Sequence, residues 1–222
     1  MASASVHVVD DDPQIRGAIS RLLRAHDIPV AAYDSPSDFL RQQSEAGPGC
    51  LILDISMPEM DGLQLQSLLT KAGTSLAVVF VTGQGDIAAS VKAMKGGAVD
   101  FLTKPFDEPQ LLEVIELAMN KSRAFYESAQ QVERCWKAFS SLTPRERQVC
   151  LSVSRGLLNK QVGGELGVHE KTIKLHRSNV MSKLGVTSLA DLVRLVETLK
   201  AAGRLDVAKA APAEYSSQTR SV

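Results

Sequence analysis

From residue 6 to about residue 120, short β-branched apolar runs alternate with longer amphipathic stretches. This alternation predicts repeated strand–helix units and a parallel sheet covered by helices. Five strands and five helices fit the pattern, with strands centred on Val6-His7-Val8-Val9, Pro29 to Tyr33, Cys50 to Leu53, Ala77 to Thr82 and Asp100 to Thr103. They are apolar at nearly every position, as strands are when helices lie on both faces of a sheet. Asp12 before Pro13 supplies an N-cap and a proline at the first helical position, so a helix is expected from Pro13 to about Ala25. Ser35 or Ser37 caps a second helix that ends before Gly47-Pro48-Gly49. The turn-rich loop Ser56-Met57-Pro58-Glu59-Met60-Asp61-Gly62 precedes a third, from Gly62 to about Lys71. Asp86 opens a fourth and Asp107 a fifth, which carries Leu111, Leu112, Ile115 and Met119.

The seam of the fifth helix continues thinly through Phe125, Val132 and Trp136, without a glycine or proline before Pro144. Residues 121–141 therefore read as a helical linker, either paired with a second chain or simply solvated. Beyond residue 142 the strand pattern is gone and capping signals take over. Thr143-Pro144-Arg145-Glu146 matches a capping box with proline at its first helical position, and Gly156 is placed to stop that helix. Asn159 is expected to cap a short helix ending at Gly167. His169 or Glu170 begins a longer one ending at Gly185, and Ser188-Leu189-Ala190-Asp191 starts a fourth. The organisation expected is an α/β domain over 1–120, the linker over 121–141, an all-α four-helix domain over 142–206 and a small, polar, disordered tail over 207–222.

A chain of 222 residues is long enough for two domains that each bury a core. The formal net charge of zero hides an uneven split: residues 1–123 hold ten basic against sixteen acidic side chains, and residues 143–200 hold ten basic against five acidic. An acidic half suits cation binding and a basic half suits a polyanion. Cys50, Cys135 and Cys150 are odd in number and lack metal-ligand spacing, so reduced thiols are expected. The stretch before the first strand is too short for a signal peptide, and the apolar runs fall well below the ~20 residues of a spanning helix. A soluble, cytoplasmic protein with no membrane partner is expected.

In a parallel sheet with helical crossovers the carboxyl ends of the strands lie along one edge. Asp10, Asp11, Asp54, Thr82 and Lys104 each end a strand-like run and would converge there. Adjacent aspartates, Asp54 and the Ser56 carbonyl are oxygen donors of the kind a hard cation such as Mg2+ (or Mn2+) takes. Asp54 would accept a phosphoryl group, Lys104 would offset charge on the transferring oxygens and Thr82 would donate a hydrogen bond to it. Taken singly, each residue has an ordinary structural reading: Asp12 as a helix cap, Asp54 and Thr82 as turn formers, Lys104 as a surface lysine. Their joint spacing argues for chemistry.

From Val6 to about Asn120 the chain resembles the receiver domain of two-component response regulators. The resemblance is carried by Asp10-Asp11, Asp54, Met57-Pro58-x-Met60-Asp61-Gly62, Thr82-Gly83 and Lys104-Pro105-Phe106. It implies a flavodoxin-like five-stranded sheet of order 2-1-3-4-5, a cis bond between Lys104 and Pro105, and phosphoryl transfer from a sensor histidine kinase. It also implies a switch in which Thr82 moves toward the phosphoryl group and Phe101 turns inward. Phe101 lacks a tyrosine's hydroxyl, so its rotamer must be set by packing. Ser56 and Gln84 would flank the site where water attacks the acyl phosphate.

In the basic half, a helix from Glu170 to Leu184 advancing about 100° per residue puts Ile173, Val180 and Leu184 on one side, with His176 and Arg177 at its margins. Lys171, Lys174, Leu175, Ser178 and Ser182 fall on the other. A short helix, a turn at Gly167 and this basic-faced helix make a helix-turn-helix whose second helix can enter a major groove. The segments Leu142-Thr143-Pro144-Arg145-Glu146, Gly156-x-x-Asn159-Lys160, Leu166-Gly167-Val168, Thr172-Ile173-Lys174-x-His176-Arg177 and Lys183-Leu184-Gly185-Val186 resemble the LuxR-type DNA-binding domain of NarL/FixJ-class response regulators. DNA contacts are then expected from Lys171, Thr172, Lys174, Leu175, Arg177 and Ser178. Two positions depart from that pattern: Gly163-Gly164 stands where alanine-like residues are usual, and His169 replaces a serine N-cap.

The reading is a phosphorylation-dependent transcriptional regulator, with promoter DNA, a homodimer through the helix-four face around Ala88 to Lys95, and RNA polymerase as further partners. Catalysis is limited to its own phosphoryl transfer and slow autodephosphorylation. A variant reading keeps the receiver but leaves DNA binding constitutive. An aspartyl-phosphate enzyme of the haloacid dehalogenase kind needs a second acid two residues after the nucleophile, where Ser56 stands. A dinucleotide or flavin binder needs a glycine-rich phosphate loop after the first strand, and none follows.

Overall fold

A computed structural model describes residues 5–42, 47–83 and 87–205. The chain divides into two units, Met1–Ser128 and Ala129–Val222. In the first, β1 (Ser5–Val9), α1 (Pro13–Ala25), β2 (Val30–Tyr33), α2 (Pro36–Gln42), β3 (Gly49–Leu53), α3 (Gly62–Ala72), β4 (Ala77–Thr82), α4 (Ile87–Lys95), β5 (Asp100–Thr103) and the start of α5 (Glu108–Ser140), whose last residues belong to the second unit, follow in strict alternation. The five strands are parallel and ordered β2-β1-β3-β4-β5, the order the receiver resemblance implies. In register, Val8 lies beside Ala32 on one side and Ile52 on the other.

Two apolar layers sandwich the sheet. Val6, Val8, Cys50, Ile52, Val79 and Val81 point toward α1 and α5, meeting Ile19, Leu23, Leu111 and Ile115. Val9, Leu51, Leu53, Val78 and Phe80 point the other way, onto Phe39, Leu65, Leu69 and Ala93. Central strands β3 and β4 are buried at every residue, which is why their sequences are apolar without alternation. Edge strand β5 is only partly buried.

Local chemistry sets the helix ends as expected. Asp12 Oδ1 accepts from Gln14 N at 2.7 Å, and Ser35 Oγ accepts from Asp38 N at 3.2 Å. Asp61 and Gln64 form a reciprocal capping box, and Gly73 closes α3 in the left-handed conformation. The start of α4 expected at Asp86 lies outside the described residues. The fifth helix runs without a break through the segment expected as a linker.

In the second unit α6 (Pro144–Ser154), α7 (Asn159–Leu166), α8 (Glu170–Leu184) and α9 (Leu189–Ala201) close around Val149, Val153, Val162, Ile173, Val180, Leu192, Val196 and Leu199. Cys135 and Phe139, near the end of α5, complete that core. The expected capping box of Thr143 and Glu146 is present, and Ser188 caps α9. Asn159 is not the cap of α7. That place falls to Leu158, whose side chain has no acceptor, so only the return half of a box remains: Leu158 N donates to Gln161 Oε1 at 2.8 Å. All three cysteines are free and buried, and burial pushes the Cys50 and Cys150 thiols up to about 12. No described helix is long and apolar enough to cross a membrane. The expected tail over 207–222 lies outside the described residues.

Candidate functional site

The chain leaves β1 toward β2 on one side and β3 toward β4 on the other, so the sheet reverses its winding between β1 and β3. A crevice opens at the carboxyl ends of strands at such a point. Asp10 directly follows β1 and Asp54 directly follows β3. Their backbone N–H groups extend the sheet, Asp54 N donating to Val9 O at 2.9 Å and Asp10 N to Tyr33 O at 3.4 Å. Lys104 follows β5, is tied back by its N–H to Thr82 O at 2.7 Å, and precedes Pro105 through a cis bond.

These strand ends meet. The Lys104 ammonium donates to Asp10 Oδ2 at 2.6 Å and to Asp54 Oδ1 at 2.8 Å. Asp10, Asp54 and Thr82 are all buried, and the Lys104 side chain keeps only 18% of its surface. The second oxygen of Asp54 accepts from Ser56 N at 2.7 Å, and Asp10 Oδ1 accepts from Asp12 N at 2.9 Å. Burial pushes the Asp54 carboxyl above its ordinary range, against the hydrogen bond and charge of Lys104, which pull it down. Burial alone would lower Lys104, but its hydrogen bonds to Asp10 and Asp54 and their charges outweigh it, so the ammonium is held charged.

Other expected members are placed differently. Asp11 is exposed and takes part in no ion pair among the described residues. Ser56 is exposed and Phe101 half-buried, packed against the Leu53 and Phe80 layer. Gln84 lies outside the described residues. Two further residues shape the site: Arg16, which had no signal in the sequence, and Gly62, which was read there only as part of a motif and a helix start. Arg16 donates to the Asp10 carbonyl at 2.7 Å, and Gly62 lets α3 begin directly beneath the acid, since a β-carbon there would fall on the Asp54 carbonyl oxygen and crowd Phe80 and Leu53.

Among the described residues no three His, Cys, Asp or Glu side chains are disposed around a common metal position. Asp10 and Asp54 nevertheless share one cation already, the Lys104 ammonium, so two hard oxygens face a common centre. That donor set fits Mg2+.

In the second unit α8 buries Ile173, Val180 and Leu184 and leaves Lys171, Thr172, Lys174, Leu175 and Ser178 exposed, the two faces read from its periodicity. Leu175 keeps 62% of its surface on an otherwise polar face. Arg177 is half-buried and donates to Asn159 Oδ1 at 3.3 Å, so it braces α8 against α7. Lys183 donates to buried Glu146 Oε2 at 2.7 Å, tying the end of α8 to the start of α6. That bond, with the Thr143 backbone, holds the Glu146 carboxyl down at about 2.

A strand-end acid pocket on a switch-point sheet, joined in one chain to a helix-turn-helix with a basic face, defines a signal receiver coupled to a DNA-binding module. Comparison with known proteins agrees. Residues 6–116 match the response regulator receiver domain, and residues 140–196 match the bacterial regulatory proteins of the luxR family. The response regulator protein TmoT of Ectopseudomonas mendocina is 43% identical over 195 residues, 88% of this chain and 89% of that protein. The structure of response regulator StyR superposes with a TM-score of 0.80 at 45% identity, covering 88% of this chain and 99% of that one. Full-length FixJ from B. japonicum gives a TM-score of 0.54 at 34% identity over 93% of this chain and 100% of that one. The chain belongs to the response regulators of the NarL/FixJ type, in which a receiver domain is joined to a LuxR-type DNA-binding domain. It is therefore a two-component response regulator acting as a transcription factor, in a family of DNA-binding regulators rather than enzymes.

Proposed function

We propose that this regulator accepts a phosphoryl group on Asp54 from a sensor histidine kinase and converts it into dimerisation and promoter binding. The observation that carries the reading is the Lys104 ammonium shared between Asp10 and Asp54 in a buried strand-end crevice. Asp54 Oδ1 is the nucleophile, and Lys104, already in contact with it, follows the charge onto the incoming phosphoryl oxygens. Thr82, buried at the end of the neighbouring strand, supplies a hydroxyl to the bound group. Asp10, Asp11, Asp54 and the Ser56 carbonyl would hold Mg2+ or Mn2+, which when bound neutralises charge on the phosphoryl oxygens.

Movement of Thr82 toward the phosphoryl group leaves space that Phe101, half-buried two strands from Asp54, turns in to fill. Helix α4 exposes Ile87, Val91 and Met94, three apolar side chains at helical spacing that suit a homodimer face. In the output unit Lys171, Thr172, Lys174, Leu175 and Ser178 meet the major groove, with Arg177 at their margin. RNA polymerase is a further partner, and the site of action is the cytoplasm, where promoter DNA lies.

Intact mass after treatment with acetyl phosphate and Mg2+, alongside Asp54→Asn, tests the reading. One added phosphoryl group on the wild type alone supports it. If no adduct survives, beryllium fluoride replaces acetyl phosphate, and failure of that mimic to change oligomeric state or DNA affinity overturns it.

A further inference from the structure

Asp10 and Asp11 stand where the chain leaves β1 for α1, and Arg16, one turn into that helix, grips the main chain on both sides of Asp11. Its guanidinium Nη1 donates to the Asp10 carbonyl oxygen at 2.7 Å, and its backbone N–H donates to the Asp12 carbonyl oxygen at 3.1 Å. A charged donor at the shorter distance makes one of the stronger kinds of hydrogen bond. The Asp10 carbonyl and the Asp11 N–H belong to one planar peptide, so fixing the carbonyl fixes the plane from which both side chains depart. The other holds on this turn are of a different kind. Asp10 N reaches Tyr33 O only at 3.4 Å. The Asp10 carboxylate is held by Asp12 N at 2.9 Å and by Lys104 at 2.6 Å, contacts that occupy the oxygens a cation would take. Asp11 is exposed and makes no ion pair among the described residues, so its place is set by its backbone.

We propose that Arg16 is a positioning residue for the divalent cation: by holding the peptide that joins Asp10 and Asp11, it keeps both carboxylates within reach of one ion when that of Asp10 exchanges its present partners. The proposal rests on the Mg2+ reading of the pocket and deepens it. Arg16 touches a carbonyl rather than a carboxylate, so it holds the ligands without taking their oxygens. Its two influences on an incoming cation have opposite signs. A guanidinium beside an acid pocket repels a second positive charge, and by that effect alone its removal tightens binding. Groups that orient metal ligands are worth roughly 10- to 100-fold in affinity, and by that effect its removal weakens binding. The direction in which Mg2+ affinity moves therefore separates placement from charge.

The test titrates Mg2+ into isotope-labelled full-length protein at constant ionic strength and follows its backbone amides by nuclear magnetic resonance. Arg16→Met, which keeps an unbranched side chain and removes both donors and charge, is expected to weaken Mg2+ binding by about tenfold. Arg16→Lys, which retains the charge and a donor for the single carbonyl, is expected to recover most of that loss. Urea midpoints without Mg2+ are measured alongside. A role confined to steadying α1 lowers the midpoint and leaves the Mg2+ affinity where it was, and that result overturns the proposal. Tighter binding by Arg16→Met overturns it as well, as does a lysine variant that recovers nothing. Should the spectrum of Arg16→Met be that of an unfolded chain, Arg16→Gln takes its place and is judged by the same outcomes. A wild type whose amides do not respond to Mg2+ overturns the metal reading itself, and this proposal with it.

Discussion

Lys104 donates to Asp54 across 2.8 Å although fifty residues separate them in the chain, and the same ammonium reaches Asp10 at 2.6 Å. One positive charge thus sits between two buried negative ones. Removing it by Lys104→Met leaves two buried carboxylates facing each other without compensation. The receiver unit should lose about 3 kcal/mol of stability, measured by urea denaturation at neutral pH, and the phosphoryl adduct should disappear from the mass spectrum.

The Asp54 carboxyl is pushed up by burial, so its ionised form is less favourable in the folded state than in the unfolded chain. A carboxyl raised in this way favours folding while it is protonated, and that contribution is lost as pH rises through its folded pKa. At pH 7 the ionised group is a net liability. Asp54→Asn should therefore unfold at higher denaturant than the wild type at pH 7, and the difference should shrink as the pH falls through the raised folded-state pKa and be least once the ordinary carboxylate range is passed. Equal midpoints across that range would contradict the assignment of burial as the dominant influence.

Gly62→Ala places a methyl group on the Asp54 carbonyl oxygen and against Phe80 and Leu53. Overpacking of this kind costs about 2 kcal/mol. Because the displaced backbone carries the nucleophile, adduct formation with acetyl phosphate should also slow by about tenfold or more. Time-resolved intact mass at fixed acetyl phosphate measures the second effect separately from the first.

The Glu146 carboxyl, held down to about 2 first by its hydrogen bond from Lys183, gives the output unit an acid limit. Depression of a folded-state pKa means the contribution is present above the unfolded value, ordinarily 4.5, and is lost as pH falls toward 2. Lys183→Met should lower the thermal midpoint of the output unit at pH 7. The two proteins should converge as the pH is taken from 4.5 down to about 2. A gap that persists undiminished at the acid end would show that the lysine acts through packing alone.

Much of the site could be read along the chain because each acid, the threonine and the lysine end a short apolar run. Strand ends in a parallel sheet share an edge, so identity and place followed together for Asp10, Asp54, Thr82 and Lys104. Helix caps at Asp12, Thr143 and Ser188 were legible for a similar reason, since donor and acceptor lie within three residues of each other. Asn159 misled because its side chain is engaged elsewhere: its Oδ1 accepts from Arg177, eighteen residues on. Arg16 was invisible because it donates to a backbone carbonyl, and a carbonyl is offered by every residue.

By itself the sequence determined the alternation of strands and helices, the ends of most helices, the two faces of α8 and the residues that line the strand-end edge. All of these follow from hydrophobic period, turn chemistry and capping, which act over a few neighbouring positions. Only the tertiary structure decided that Lys104 bridges two carboxylates and that Gly62 admits α3 beneath Asp54. These depend on how closely separate segments approach, and that distance is set by packing of the whole core rather than by any local preference.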